Sequence, residues 1–569
     1  MYGPTPPRPK KTNITRSRNG CIPCRSKKRK CDEGSPSCGL CSRLRITCSY
    51  QRFLVRFQDT RNKPERTRKA HGNGELVTSL TRMGNPLRAL KDQAPSNRGM
   101  QPEYHISGSE QIFSNQYLAH VVDLLPVSVR PVVCRLSNLP ALCNATVAFS
   151  AARFAYSLGT PYHTQSKTLI RPNRHFFIQS LNYFSRAIRL IQRNSSQLED
   201  VFATIIFFIL FENVVGTVSS YYCHLQGLET LTLCYHHTLS ATPNGQLLLR
   251  ASFFTLAKGA LFLGPLHSLR RGDVVHRELD TLAERLCSRQ EILFFMVVDV
   301  VRISSSLLLG EFIRCPSDNL QRVLQKMCGY GNPNLLVSSA LEACEKLTSL
   351  RRRIDILFAQ SAPLYSAFSQ CTSHPAFHEM EFSFTHDNIP PITFASHEEA
   401  MACAMYALVQ IYCDIQLLQS LLDGSTGPVN SVLNGWAKII LGIAKGYDPP
   451  RYLYEEMYNM NMCWILGLLC LRWPNPDILT YLAHTVLPHL KSTTPAVEDT
   501  AGALLLFEVI IEMLCSQNAR GRKVFAVHVV HEDPVDSNAF LLVNRSLHFA
   551  IHGYGDDGSF FSDYIPALH

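Results

Sequence analysis

The sequence predicts a small N-terminal module whose fold is stabilised by bound metal, a flexible linker and a large all-α domain. Six of the 20 cysteines fall within residues 21–48 at a repeated spacing. Residues 1–70 carry 19 Lys and Arg against 4 Asp and Glu, a net charge of +15, whereas the whole chain is only +11, so the remainder sums to −4. From about residue 110 onward, apolar residues recur at the i, i+3, i+4 spacing of core-facing helices. A chain of 569 residues is also too long for one core of usual size.

The clustered cysteines form two copies of one spacing unit. Cys21, Cys24 and Cys31 are separated by two and six residues, and the same spacing recurs 17 residues later in Cys38, Cys41 and Cys48. Zinc takes four such soft ligands in a tetrahedron, so two zinc ions need eight ligand positions and six thiolates must include two that bridge. Pseudo-symmetry leaves three candidate bridging pairs, which are Cys21 with Cys38, Cys24 with Cys41, and Cys31 with Cys48.

The run from Cys21-Ile-Pro-Cys24-Arg-Ser-Lys-Lys-Arg-Lys-Cys31 to Cys38-Gly-Leu-Cys41 and Cys48, with Pro36 in the loop, resembles the fungal binuclear zinc cluster family. The resemblance implies a module that holds two zinc ions, bridged by the family's first and fourth cysteines. Carried over to this chain, Cys21 and Cys38 bridge, Cys24 and Cys31 complete one zinc site, and Cys41 and Cys48 complete the other.

The same resemblance implies that the module reads double-stranded DNA. The lysine that matches Lys28 reaches the base edges of CGG-type triplets, with Lys27 assisting, and a lysine can donate to guanine O6 and N7. The remaining basic side chains are candidate phosphate contacts, namely Arg25, Arg29, Lys30, Arg43 and Arg45. Two alternatives to this interpretation do not involve DNA. Some of these basic side chains could simply be solvated, and the zinc ions could stabilise the fold of a module that does not bind nucleic acid.

The sequence gives weaker signals for cellular location and oligomeric state than for zinc binding. The basic runs ending at Lys30 and over residues 61–69 are typical of nuclear localisation signals, so we expect a nuclear protein. Many relatives form homodimers through a coiled coil after the cluster. A heptad-like pattern exists here but is interrupted by Gly84 and Pro86, which favours chance spacing. Its apolar positions are Leu76, Leu80, Met83, Leu87 and Leu90.

Helical periodicity predicts helices over residues 140–158, 175–192, 197–215, 246–263, 398–422 and 497–515. Residues 176–233 resemble the fungal-specific transcription factor domain through Leu210-Phe-Glu-Asn213 and His224-Leu-Gln-Gly227. The resemblance implies a regulatory domain that dimerises, recruits transcriptional coregulators or senses an effector. We expect Glu212 and His224 to be satisfied structural groups, and the residues 234–237 to be packing groups and not a metal site.

The predicted domain order is a disordered basic arm (1–16), a zinc cluster domain (17–50), a basic linker (51–104) and a helical regulatory domain (105–569). The N-terminus has no secretory signal, so a reducing compartment is expected. The most apolar run, residues 201–211, is too short to span a bilayer and predicts a buried helix and no membrane partner.

We expect no enzymatic activity, because GxxxxGK[ST], HExxH and GxSxG do not occur in the sequence. One GxGxxG, at Gly553, Gly555 and Gly558, lies too close to the end for a dinucleotide fold and predicts a Gly/Asp turn. The function expected is therefore sequence-specific regulation of transcription by RNA polymerase II, in the control of metabolic or secondary-metabolite genes. The alternative is a scaffold or corepressor-type protein in which the helical domain has the main role.

Overall fold

The computed structural model describes residues 23–24, 29, 31–32, 38–44, 113–114, 121–122, 125–163, 168–193, 197–215, 218–263, 277–314, 340–360, 389–422, 431–447, 461–493, 500–531 and 547–566. The chain divides into two compact units, Met1–Pro102 and Glu103–His569. The finer division into four segments stays a prediction, and the interrupted heptads of residues 76–90 lie outside the described residues.

Among its described residues, the first unit includes the short helix α1 (Gly39–Arg43), and residues 23–24 are also helical. In its described residues, the first half of the second unit consists of helices and one small hairpin of two antiparallel strands. In chain order these elements are α2 (Arg130–Leu136), α3 (Pro140–Ser157), β1 (Thr160–His163), β2 (Thr168–Arg171), α4 (Arg174–Arg193), α5 (Leu198–Val215), α6 (Val218–Ser240) and α7 (Pro243–Leu263).

The second half of this unit adds further helices and ends in a three-stranded sheet. The helices are α8 (Arg277–Leu286), α9 (Arg289–Arg314), α10 (Ala340–Ala359), α11 (His397–Tyr412), α12 (Ile415–Leu422), α13 (Ser431–Lys445), α14 (Met462–Arg472), α15 (Pro476–Tyr481), α16 (Leu487–Thr493) and α17 (Thr500–Ala519), with a π-helical turn over Leu482–Val486. The strands are β3 (Arg522–His531), β4 (Leu547–Gly555) and β5 (Phe560–Pro566).

A buried carboxylate fixes how two of these helices meet. Helix α3 begins with Pro140 and has no side-chain cap of its own. Asp200, from the first turn of α5, is 3% exposed and accepts the backbone N–H groups of Ala141 at 3.2 Å and Leu142 at 2.9 Å. Because the first N–H groups of a helix have no partner within it, Asp200 caps α3 from a distant part of the chain.

The core of the helical domain follows from the apolar faces of its helices. Helix α3 packs against α4 and α5, and α5 is buried around most of its circumference, as a helix with apolar residues on every side must be. Farther along, α11 packs against α9 and α13, and α14 packs against α17. One continuous buried cluster runs from Phe254 to Ile551 and joins these helices to the terminal sheet.

The terminal sheet is antiparallel, with β4 in the middle between β3 and β5. His552 lies on β4 opposite Ser562 and is fully buried, and this burial lowers the pKa of His552 to about 4. The turn from β4 to β5 contains Gly558, whose φ of 77° lies in the left-handed region that favours glycine. Gly558 therefore lies in the predicted Gly/Asp turn, whereas Gly553 belongs to β4 and pairs with Val524.

The predicted helices are confirmed as α3, α4, α5, α7, the pair α11 and α12, and α17. The apolar run at residues 201–211 lies in α5 and is buried almost throughout. The terminal sheet is the main difference from the expected all-helical domain. Of the helices that the structure describes, none is by itself both long and apolar enough to cross a membrane; α11 and residues 415–421 pass that test together, but with a bend of 57° between them.

Candidate metal centre and nucleic-acid interface

The second half of the cysteine motif folds into a helical turn that brings two thiols together. Cys38 is the N-cap of α1, in an extended conformation, and its Sγ accepts the backbone N–H of Cys41 at 3.4 Å. The Ser42 N–H donates to the Cys38 carbonyl at 3.0 Å and continues the turn. The spacing of two residues thus places Cys38 and Cys41 on the same side, and both are fully buried.

The first half of the motif supplies thiols to the same place. The Sγ atoms of Cys24 and Cys38 are 3.6 Å apart, and those of Cys24, Cys38 and Cys41 all lie within 4.8 Å of one another. A second set, also within 4.8 Å, consists of Cys31, Cys38 and the carboxylate of Asp32. Cys38 belongs to both sets. Since tetrahedral Zn–S bonds of about 2.3 Å place ligand sulfurs about 3.8 Å apart, the described thiols fit zinc.

Burial of these thiols is what a structural zinc site requires. Cys24, Cys31, Cys38 and Cys41 are each 4% exposed or less, with Leu40 packed against them. So short a segment buries little other apolar surface, so metal coordination must supply the folding energy. Within the described residues, these two sets are the groups of ligand atoms close enough to share an ion. Cys21 and Cys48, the remaining predicted ligands, lie outside the described residues.

Asp32 connects the two halves of the module. Its carboxylate accepts the Gly39 N–H, with Oδ2 at 2.9 Å and Oδ1 at 3.1 Å, so a residue next to Cys31 caps the start of α1. A Cβ on Gly39 would lie 2.7 Å from Oδ2 of Asp32, which explains why glycine suits this position. Sequence reasoning missed this pair. The available signal was an acid directly after the third cysteine and a glycine directly after the fourth.

Two of the predicted DNA-contacting residues are described, and both are exposed. Arg29 is exposed, and its backbone N–H donates to the Cys24 carbonyl at 2.9 Å. Arg43 occupies the last turn of α1 and is likewise exposed. The other predicted contacts lie outside the described residues, namely Arg25, Lys27, Lys28, Lys30 and Arg45.

The helical domain confirms the structural interpretation of its recurrent motif residues. His224 Nε2 lies 3.5 Å from Glu212 Oε1, and both side chains are at most 10% exposed. The imidazole also packs against the rings of Phe184 and Phe208. A paired carboxylate and imidazole among aromatic rings is a satisfied core interaction. The prediction that residues 234–237 are packing groups is wrong for most of them, because Cys234, Tyr235 and His237 are exposed and only His236 is half-buried. Among the described residues they form no set of ligand atoms close enough to share a metal ion.

Two family models match this chain. Residues 19–56 match the fungal Zn(2)-Cys(6) binuclear cluster domain, and residues 106–373 match the fungal specific transcription factor domain. Together the two matches cover more than half of the sequence, and the first of them contains all six clustered cysteines.

Curated relatives match mainly through a short segment. A transcriptional regulatory protein of Neurospora crassa is 48% identical over 46 residues, 8% of this chain and 7% of the relative. The sterol uptake control protein 2 of Saccharomyces cerevisiae is 34% identical over 95 residues, 16% and 10% of the two chains. The pestheic acid cluster transcriptional regulator 3 of Pestalotiopsis fici is 51% identical over 37 residues, 6% and 7%.

The matched segment therefore spans a tenth or less of each of these relatives. No solved structure matches the chain. The buried thiols around Cys38 and the two family matches lead to one conclusion: the chain belongs to the fungal binuclear zinc cluster transcription factors, and its cluster domain binds two zinc ions.

Proposed function

We propose that this protein is a nuclear, sequence-specific DNA-binding regulator of transcription by RNA polymerase II that reads CGG-type triplets through its zinc cluster. The observation that carries the proposal is the position of the Cys38 sulfur, close to thiols from both halves of the motif. A fused two-metal cluster of this kind holds a short basic segment rigid enough to enter the major groove.

The proximity of Cys38 to Cys31 supports one of the three bridging arrangements. If Cys21 and Cys38 bridge, Cys38 must approach Cys24 and Cys31 at one zinc and Cys41 at the other, and all three approaches are present. If Cys24 and Cys41 bridge, nothing requires Cys31 to approach Cys38. If Cys31 and Cys48 bridge, nothing requires Cys24 to approach Cys38 or Cys41. The approach of Cys31 to Cys38 favours Cys38 as a bridging ligand, whereas the mutual approach of Cys24, Cys38 and Cys41 equally fits a bridge by Cys24 and Cys41.

DNA contacts in this proposal divide into base-reading and phosphate-binding groups. Lys28, with Lys27 beside it, donates to guanine in the major groove, and the surrounding arginines and Lys30 neutralise phosphates. The exposure of Arg29 and Arg43 supports the second role, as does the net charge of +15 over residues 1–70.

The helical domain is proposed to regulate this DNA binding through a homodimer or through transcriptional coregulators. The printed names of two relatives concern sterol uptake control and a pestheic acid gene cluster. They support extending the proposal to pathway-specific control of metabolic or secondary-metabolite genes. The DNA-reading role does not depend on this extension.

Two alanine variants of the full chain test the proposal. Lys28→Ala should lower binding to a CGG-containing duplex by about 1–3 kcal/mol while leaving binding to random duplex nearly unchanged, because it removes a base contact. Arg43→Ala should weaken both duplexes alike and reduce the salt dependence, because it removes a phosphate contact. Fluorescence anisotropy over a range of salt concentrations measures both effects. Equal losses on the two duplexes for Lys28→Ala would overturn the base-reading role.

A further inference from the structure

Helix α4 belongs to a stretch of the chain that has positive charges and no negative ones. Residues 124–198 contain 9 Lys and Arg and no Asp or Glu, whereas residues 199–569 contain 24 Lys and Arg against 36 Asp and Glu. The first stretch therefore has a net charge of +9 and the second a net charge of −12. Such a concentration of charge of one sign attracts partners of the opposite sign.

One face of α4 presents part of this charge to solvent. We call it the α4 stripe, because its six residues recur every three or four positions and so lie along one side of the helix. Five of them are exposed and Ser185 is half-buried. The stripe consists of Arg174, Ile178, Leu181, Ser185, Arg189 and Gln192. Arg193, one residue farther on, is exposed beside it. The buried residues of α4 lie on the other side of the helix, namely Ser180, Tyr183, Ala187 and Ile191.

The arginines of this face are not balanced by acidic side chains. Arg193 follows Arg189 by one helical turn, so their like charges repel each other. Within the described ranges, no carboxylate forms an ion pair with Arg174, Arg189 or Arg193. Helix α10 differs, because its exposed face pairs Lys346 with Glu342 at 2.8 Å. The charge of the α4 stripe is therefore available to a partner.

The stripe also exposes apolar side chains next to its arginines. Ile178 is 45% exposed and Leu181 is 37% exposed. Leu158, 45% exposed, follows the end of α3, and this end meets the start of α4, because the Asn173 N–H donates to the Ala155 carbonyl at 2.8 Å. Single exposed apolar residues are common, but neighbouring ones bordered by charges are typical of a surface that binds another protein.

The combination of charge and apolar surface decides which partner fits. The N-terminal segment of this chain, with its net charge of +15, is repelled, and so is the same face of a second copy. DNA phosphates could pair with the arginines but would gain nothing from Ile178 and Leu181. An acidic amphipathic helix matches both features, because its apolar side covers these two residues and its carboxylates reach the guanidinium groups.

We propose that the α4 stripe is a docking surface for an acidic amphipathic helix of a partner protein. The stripe extends over about 27 Å, so a helix of about 18 residues covers it. The apolar residues of that helix pack on Ile178 and Leu181, and its carboxylates pair with Arg174 near one end and with Arg189 and Arg193 near the other. The inference deepens the proposed function, on which it rests for the role of the partner as a transcriptional coregulator.

Fluorescence anisotropy with the zinc-loaded full chain tests the proposal in the absence of DNA. The probe is a labelled helical peptide of about 18 residues, with leucine at every third or fourth position and glutamate at most others. One analogue has glutamine in place of every glutamate, and another has the same composition in shuffled order. We expect the probe to bind saturably and each analogue to bind at least about fivefold more weakly, because one lacks the charges and the other lacks the apolar side.

Two apolar residues of the stripe are changed first. The double variant Ile178→Ser with Leu181→Ser should weaken binding of the probe at least about fivefold, because it removes the apolar contact. The matched control is Leu341→Ser with Ile356→Ser, at positions on α10 that are 71% and 57% exposed, and it should leave binding unchanged. The basic N-terminus also attracts an acidic peptide, but neither pair of substitutions alters it.

Two arginines beside them are changed next. The double variant Arg189→Gln with Arg193→Gln should weaken binding of the probe by a similar factor, because it removes two charge-assisted contacts. The matched control is Arg285→Gln with Arg352→Gln, at exposed positions on α8 and α10. All of the substituted side chains are exposed, so the variants keep the fold, and their circular dichroism spectra should match that of the wild type.

A duplex of random sequence distinguishes DNA from a protein helix as the occupant. The stripe variants should bind this duplex as tightly as the wild type. Weaker duplex binding by the arginine variant, with unchanged peptide binding by the serine variant, would overturn the proposal and identify a phosphate-binding surface. Equal binding of the glutamate and glutamine peptides, or equal losses in the stripe variants and their controls, would overturn it as well. These readouts do not involve CGG triplets, so their failure differs from a failure of the proposed function.

Discussion

Gly39→Ala probes the link between the two halves of the zinc module. The added methyl group would lie 2.7 Å from Oδ2 of Asp32, closer than a carbon and an oxygen can approach without a shift. The carboxylate must therefore move away, and its hydrogen bonds of 2.9 and 3.1 Å to the Gly39 N–H weaken or break. The Gly39 N–H at the start of α1 then loses its acceptor.

The size of the effect follows from what a cap contributes. Loss of a side-chain cap costs about 0.5–2 kcal/mol, and the exposure of both residues favours about 1 kcal/mol. Because the module folds when it binds zinc, the loss appears as weaker zinc affinity. At about 1.4 kcal/mol per factor of ten, the expected weakening is about fivefold. Helix propensity alone predicts the opposite sign, since alanine in place of glycine stabilises a helix by up to about 1 kcal/mol.

The assay is zinc competition against a chromophoric chelator, using the full chain and a double-mutant cycle. Asp32→Ala should weaken zinc binding about as much as Gly39→Ala, because both lose the same cap. In the Asp32→Ala background, Gly39→Ala should cost nothing or stabilise slightly, because no carboxylate remains to be displaced. Leu44→Ala, at an exposed position after the same helix, is the matched control. Additive losses in the double variant, or unchanged affinity in Gly39→Ala alone, would refute the reasoning.

Two further predictions concern the helical domain. Asp200→Ala should lower the free energy of unfolding by about 2–5 kcal/mol, because it leaves two buried N–H groups at the start of α3 without an acceptor. Urea unfolding followed by circular dichroism measures this loss. A loss no larger than that of the exposed control Glu342→Ala would contradict the prediction. Stability should also decrease as the pH falls from about 6.5 towards 4, because the unfolded chain binds protons at His397 and His552, whose pKa burial lowers to about 4 in the folded state. His552→Gln should weaken this dependence, with the contribution of His397 remaining, while the exposed control His175→Gln leaves it unchanged. Equal pH profiles for the two variants would exclude a contribution from His552.

The helices could be predicted from the sequence because each carries its own signal. Helix α5 is apolar on all sides and α4 on one side, and both patterns are visible within one segment. The terminal sheet could not be predicted from such local patterns. Strands β3 and β4 pair although residues 532–546 separate them in the sequence, and the energy of their pairing depends on contacts between side chains of the two strands, which a short stretch of sequence does not show.

The cysteine ligands of the metal site could be predicted from the sequence because their spacing repeats. Two thiols separated by two residues meet on one turn of chain, as Cys38 and Cys41 do. The cap on Gly39 by Asp32 and the approach of Cys31 to Cys38 are tertiary contacts, so spacing alone left the bridging pair open. The burial of Arg472, the last residue of α14 and only 1% exposed, shows the same limit, because arginine is usually exposed and only the fold reveals that this one is buried.

The most direct test is selection of bound duplexes from a randomised pool by the zinc-loaded full chain at physiological salt, repeated after chelation of the zinc. The proposed function predicts enrichment of CGG triplets that disappears without zinc, and the number and spacing of the triplets would then report whether one copy or two bind. Salt-sensitive binding without enrichment, or binding that is indifferent to chelation, would contradict it, because the basic N-terminus alone would then account for the interaction with DNA.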